Sequence, residues 1–148
     1  MSQSERPIEV FLVEDDSGDV RLIIEALKAS RAPMHLNVAE DGVEAMAYLR
    51  QERSYRNAVR PDVVLLDLNM PRKDGREVLA EIRQDPHLES LPVMVLTTSD
   101  AIEDKARARE LKADCFMTKP VVWDDFIKIV GLIECLWIRT LELKSGSS

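Results

Sequence analysis

Residues 61–75 read PDVVLLDLNMPRKDG, and the fold follows from how the middle of that stretch is read. Val63-Val64-Leu65-Leu66 is an unbroken apolar run that closes on the carboxylate of Asp67. A core strand therefore ends in an acid at the point where the backbone must turn, and Asp74-Gly75 supplies a second turn signal downstream. In an open parallel sheet, ligands bind beyond the carboxyl ends of the strands. A second apolar run, Val10-Phe11-Leu12-Val13, ends the same way in Glu14-Asp15-Asp16. Acids at neighbouring strand ends repel one another, so such a cluster stays apart, shares protons, or holds a divalent cation. The last of these makes Asp67 the centre of a metal-assisted phosphoacceptor site.

Outward from this point, strand and helix signals alternate five times. Ile8 to Val13 is the first strand, and Asp16-Ser17 can cap a helix carrying Val20, Ile23, Ile24 and Leu27 at helical spacing. Met34 to Ala39 alternates as an edge strand does. Asp41-Gly42 opens a helix ending near Arg53, and residues 54–61 form a polar loop. Asp62 to Asp67 is the central strand, and Val78, Leu79 and Ile82 stripe the third helix. Val93 to Leu96 is the fourth strand, Ala101 to Leu111 a charged helix, Cys115 to Thr118 the fifth strand, and Val122 to Leu141 the last helix. This alternation predicts an α/β fold: a doubly wound five-stranded parallel sheet with five helices covering both faces. A single domain is expected over 8–142, between flexible tails at 1–7 and 143–148.

The 148 residues suffice for one domain with a sizeable core. A net charge of −7 argues against a nucleic-acid surface, which needs an excess of Lys and Arg. Residues 1–7 are short and polar, unlike a targeting core, and no window has the roughly 20 apolar residues of a membrane span. A cytoplasmic location without a membrane partner is the expectation. Cys115 and Cys135 lack paired spacing and read as small buried thiols.

Four strand ends thus present polar groups: Glu14 and Asp15, Asp67, Thr97, and Lys119. The stretches that carry them are LVEDD, LLDLNMPRKDG, VMVLTTS and MTKP. In that order and spacing they resemble the receiver domain of two-component response regulators, over about residues 8–140. The resemblance implies a flavodoxin-like receiver fold with strand order 2-1-3-4-5. It implies that Asp67 accepts a phosphoryl group from a histidine kinase's phosphohistidine, and that the chain is a signalling protein rather than an enzyme. Mg²⁺ is the implied cofactor, with Asp15, Asp67 and the backbone carbonyl of Asn69 as ligands. Glu14 stands where the family usually has a second Asp, so it reaches the ion through water. An oxygen-only set suits a hard cation that keeps several waters. Thr97 is implied to donate to a phosphoryl oxygen, and Lys119 to offset its charge. The family usually makes the Lys119–Pro120 bond cis.

In receivers the active-site Thr moves on phosphorylation and an aromatic residue of strand five turns inward. Phe116 holds that position, so Thr97 and Phe116 are the implied switch. On the last helix, Trp123, Phe126, Val130, Ile133 and Trp137 are expected to face the sheet. Ile129, Leu132 and Leu136 are expected on a second, outward stripe that serves a homodimer or partner interface. The long segment 51–60, the apolar last helix and DGREVLAEIR after the phosphoacceptor resemble the single-domain regulators of phytochrome-type histidine kinases. Lys112 falls where receivers commonly place Gly at a helix end, which predicts a mildly strained backbone. With only a short tail after the last helix, the expected output is protein–protein contact.

Two rivals use the same residues. An aspartyl-nucleophile phosphohydrolase of the haloacid dehalogenase type places a second Asp two residues after the nucleophile; here that residue is Asn69. A degenerate receiver would bind partners without accepting phosphate, against which the full set of acids, Thr97 and Lys119 argues. A nucleotide binder would need a glycine-rich loop after the first strand, and none is present there.

Overall fold

The structure, a computed structural model, describes residues 6–70, 73–97, 106, 109–120 and 122–146, with the backbone alone from 140 onward. Five strands, β1 (Ile8–Val13), β2 (Met34–Ala39), β3 (Val63–Asp67), β4 (Val93–Thr97) and β5 (Cys115–Thr118), form one parallel sheet. Their order is β2-β1-β3-β4-β5, as expected. Four α-helices stand among the described residues, against the five expected: α1 (Ser17–Leu27), α2 (Gly42–Leu49), α3 (Gly75–Gln84) and α4 (Trp123–Gly146). The helix expected over 101–111 falls mostly outside the described residues; within it Ala106, Arg109 and Glu110 are helical.

An aspartate placed just before each of α1, α2 and α3 caps its first turn. Asp16 accepts from Asp19 N, Asp41 from Glu44 N, and Asp74 from Arg76 N and Glu77 N. Each such cap stabilises its helix by about 1 kcal/mol and fixes where it starts relative to the strand ends. α2 ends at Leu49, short of the expected Arg53. Gln51 and Arg53 have φ of 56° and 55°, a left-handed backbone that no α-helix continues through. A 3₁₀ turn, Arg53–Tyr55, follows instead.

The strands alternate between two cores. Phe11, Val13, Val64, Leu66, Val93 and Val95 face α2 and α3; Val10, Leu12, Val63, Leu65, Met94 and Leu96 face α1 and α4. All four apolar residues of β3 are fully buried, and each such side chain contributes about 1.5–3 kcal/mol. β2 is the half-covered edge strand that its alternation predicts.

The last helix departs from expectation in three ways. Phe126, Val130, Ile133 and Trp137 are buried as foreseen, but Trp123, at the helix start, is 46% exposed. Ile129 and Leu136, expected to face outward, are 1% and 7% exposed and join the α1-side core, with Leu132 half-buried against them. At about 100° per residue, Ile129 and Leu136 lie only about 60–80° from Phe126, on the flank of one wide face. That face is wide because α4 packs on α1 as well as on the sheet, where Ser30 Oγ donates to Glu134 Oε1 at 2.8 Å. Finally, α4 runs to Gly146, so residues 143–146 continue the helix rather than forming a tail. No described helix is long and apolar enough to cross a membrane.

Two further points concern β5. Lys112, before the strand, has φ of 64°, the left-handed conformation predicted from its position. The Lys119–Pro120 bond after the strand is trans, unlike the family habit.

Candidate functional site

The parallel sheet makes neighbours of residues far apart in sequence. β1, β3, β4 and β5 lie side by side, so Glu14, Asp67, Thr97 and Lys119 leave the sheet at one end. Backbone bonds continue the pairing past the strands: Glu14 N donates to Ala39 O, Leu68 N to Leu96 O, and Lys119 N to Thr97 O at 2.6 Å. The turn behind Asp67 depends on Gly75. A Cβ there would overlap Asp67 O and come within 2.7 Å of Leu68 Cα, so only glycine lets α3 start against the backbone of Asp67.

Glu14, Asp15 and Asp67 each offer an oxygen within 4.8 Å of the others. Glu14 and Asp67 are buried and Asp15 is exposed. Lys119 Nζ lies among the acids, 2.5 Å from Glu14 Oε1, 3.0 Å from Asp19 Oδ2 and 3.3 Å from Asp67 Oδ2. Glu14 Oε1 is buried, and the Lys119 ammonium is the group against it. Glu14 Oε2 accepts from Asp15 N. Asp67 Oδ1 accepts from Asn69 N at 2.9 Å, and Asn69 Nδ2 donates to Thr97 Oγ1 at 3.2 Å.

The electrostatics follow from crowding acids in a buried place. Burial and a hydrogen bond shared with Asp67 push the Glu14 carboxyl up from 4.5 to about 8, against the opposing pull of Lys119. Burial alone would lower Lys119, but its contacts with Glu14 and Asp19 and the charge of Asp67 hold its ammonium well above the usual lysine range. The Glu14–Asp67 pair is therefore under-compensated by one cation. A divalent ion fits the set: three convergent carboxylates, two of them buried, and no soft ligand.

The structure brings Glu14, Asp15, Asp67, Asn69, Thr97 and Lys119 together as the sequence reading anticipated. Phe116 lies outside the acidic group; it sits half-buried opposite Val95 and packs on the α2–α3 core. Ile129, Leu132 and Leu136 belong to the opposite core, as described. Pro71, Arg72, the Thr98 and Ser99 of VMVLTTS, and Asp100 lie outside the described residues. Sequence reasoning missed Asp19 as a partner of Lys119. Its signal was present, since the first turn of a helix capped two residues after Glu14 must stand beside that strand end. A cavity of about 370 Å³ lined by Tyr48, Arg60, Pro61 and His87 lies instead at the amino ends of β3 and β4, away from the carboxylates. Chemistry rather than volume marks the site.

Comparison with known proteins gives the same picture. The family described as response regulator receiver domain matches residues 10–131. Response regulator Rcp1 of Synechocystis sp. (strain PCC 6803) is 46% identical over 97% of this chain and 98% of that protein. Among solved structures, the phosphorylated cyanobacterial phytochrome response regulator RcpA superposes with a TM-score of 0.83 at 50% identity, covering 91% of this chain and 96% of that one. The Mn²⁺-bound form of Rcp1 gives 0.80 at 47% identity, covering 88% and 94%.

Proposed function

The chain belongs to the response regulator receiver family, and on that premise we propose that Asp67 accepts a phosphoryl group from a histidine kinase in a Mg²⁺-dependent reaction. The observation that carries this reading is the convergence of Asp67, Glu14, Asp15 and Lys119 on one buried point. A carboxylate oxygen of Asp67 attacks phosphorus; the new O–P bond forms as the P–N bond to the donor imidazole breaks. Asn69 N–H holds Asp67 Oδ1 and so orients the carboxylate. Lys119 meets the charge that grows on the transferred oxygens. Thr97, already fixed by Asn69, takes a phosphoryl oxygen after transfer, and Phe116 follows it inward. Asp15, Asp67 and the Asn69 carbonyl would hold Mg²⁺ with Glu14 joining through water, and the ion supplies charge neutralisation between donor and acids.

The partner is a phytochrome-like kinase, a reading supported by the likeness to RcpA, which is titled a phytochrome response regulator. Signalling proceeds in the cytoplasm through protein–protein contact, including a homodimer built on α4. Its face is relocated from Ile129, Leu132 and Leu136, which pack into the α1-side core, to the exposed residues Trp123, Ile127 and Ile138.

The test is incubation with a small-molecule phosphodonor and Mg²⁺, followed by intact-mass measurement. One added phosphoryl group on the wild type and none on Asp67→Asn is the expected result. Sustained turnover of phosphomonoesters would instead identify a phosphohydrolase.

A further inference from the structure

The three acids around Lys119 are not equivalent. Glu14 and Asp67 belong to the group of carboxylates that converges within 4.8 Å; Asp19 does not. Asp19 comes from the first turn of α1, its backbone N–H donating to the capping Asp16 Oδ1 at 3.0 Å, so its position is set by the helix rather than by the bowl. Its Oδ2 is 3.0 Å from Lys119 Nζ, closer than Asp67 Oδ2, and its side chain is only 26% exposed. An ammonium has three N–H donors, and here three carboxylates surround it.

We propose that Asp19 is a positioning residue for phosphoryl transfer: it tethers the Lys119 ammonium over Asp67 while Glu14 and Asp67 are engaged elsewhere. This rests on the reading of Asp67 as phosphoacceptor. When a cation draws Glu14 and Asp67 toward itself, two of the three lysine contacts weaken. Asp67 is further altered once it carries the phosphoryl group as an acyl phosphate. Asp19 alone keeps its carboxylate free for Lys119 through the whole sequence. Lys119 has four rotatable side-chain bonds, and without that anchor it loses the fixed aim that electrostatic stabilisation of a transferring group requires. The charge of Asp19 is also a modest obstacle to an anionic donor. Tether and repulsion therefore act in opposite senses and in different parameters: the tether in the rate at saturating donor, the repulsion in the donor concentration needed.

The bland account is that Asp19 merely places an acid at a helix N-terminus, where the macrodipole favours it. That role is read in melting temperature and does not touch the chemistry. The experiment compares wild type, Asp19→Asn and Asp19→Ala for phosphoryl uptake from acetyl phosphate at saturating Mg²⁺. It adds Mg²⁺ titration, thermal melts and the exchange rate of the Lys119 ammonium protons by NMR. Loss of a charged hydrogen-bond partner predicts a saturating rate about tenfold lower in Asp19→Ala, with a smaller loss in Asp19→Asn, which keeps an acceptor. Mg²⁺ affinity should shift by less than about twofold, as expected for a charge outside the ligand set. Ammonium exchange should quicken in Asp19→Ala. A lower melting temperature with an unchanged saturating rate overturns the proposal. If the wild type takes up no phosphoryl group, the reading of Asp67 fails separately. The tether is then judged by ammonium exchange alone, and unchanged exchange in Asp19→Ala overturns it.

Discussion

Glu14 shows how a single residue can report the occupancy of a site. Burial first, and then the bond to Asp67, push its carboxyl up from the ordinary 4.5 to about 8 in the fold. The folded chain thus binds the proton more tightly than the unfolded one. The resulting stabilisation is complete below about pH 4.5 and is lost as pH climbs through about 8. Without metal, the melting temperature of the wild type should fall between pH 5 and pH 8 relative to Glu14→Gln, which cannot titrate. The same proton must leave before a cation can engage the pair, so apparent Mg²⁺ affinity should rise over that window. A wild type and a Glu14→Gln variant with parallel melting profiles would contradict the assigned proton. Gly75 is the other residue whose role is local and exact in space. Gly75→Ala forces a Cβ into the backbone of Asp67 and Leu68, so phosphoryl uptake should fall at least about tenfold even where the fold survives. At this scale the sequence revealed the residues that end strands, because apolar runs advertise where they stop. Asp19 was overlooked although its place in the first turn after Glu14 was legible, and Gly75 was read only as a turn, because its close approach to Asp67 is a contact across elements that no run or period records.

Among the elements, α4 and the link into β5 carry the instructive departures. The stripe on α4 was misassigned because a helical wheel orders residues by angle without saying where the buried arc is centred. Packing on both the sheet and α1 widened that arc until it took in Ile129 and Leu136. Ile129→Ala should therefore cost about 2–4 kcal/mol as a cavity in the core, while Ile138→Ala should stay within about 0.5 kcal/mol; denaturant unfolding separates them. The link into β5 is held by Arg83. It donates to the carbonyls of Lys112, Glu89 and Leu91 and to the carboxylate of Asp114, which also accepts from Val93 N. This stitch obliges Lys112 to remain at φ of 64°. Lys112→Gly should relieve the left-handed strain and stabilise the fold by about 0.5–1 kcal/mol, measured as a shift of the unfolding midpoint.

The molecule as a whole has its acid cluster at one end of the sheet and one of its exposed apolar surfaces along one side of α4. Alternation of strand and helix made the sheet legible, and parallel order then required the polar strand ends to meet. The alternation said nothing about which surfaces remain bare after folding. Trp123, Ile127 and Ile138 are 46%, 37% and 53% exposed. At about 100° and 1.5 Å per residue they occupy one outward arc, and Ile127 and Ile138 stand about 16 Å apart along the axis. Single exposed apolar residues are ordinary, whereas several aligned on one helix mark an interface. Gly131, between them, has open space where a Cβ would point, so a second helix can approach closely there. A chain of net charge −7 repels its copies elsewhere, which favours association on such an apolar strip, whose one acid, Glu134, accepts from Ser30 Oγ. Ile138→Glu places a carboxylate in the strip without entering either core. Sedimentation should show a wild-type dimer and a mainly monomeric Ile138→Glu, both taking up one phosphoryl group on Asp67 at similar rates. A variant that sediments as the wild type does would remove α4's outward face from the interface.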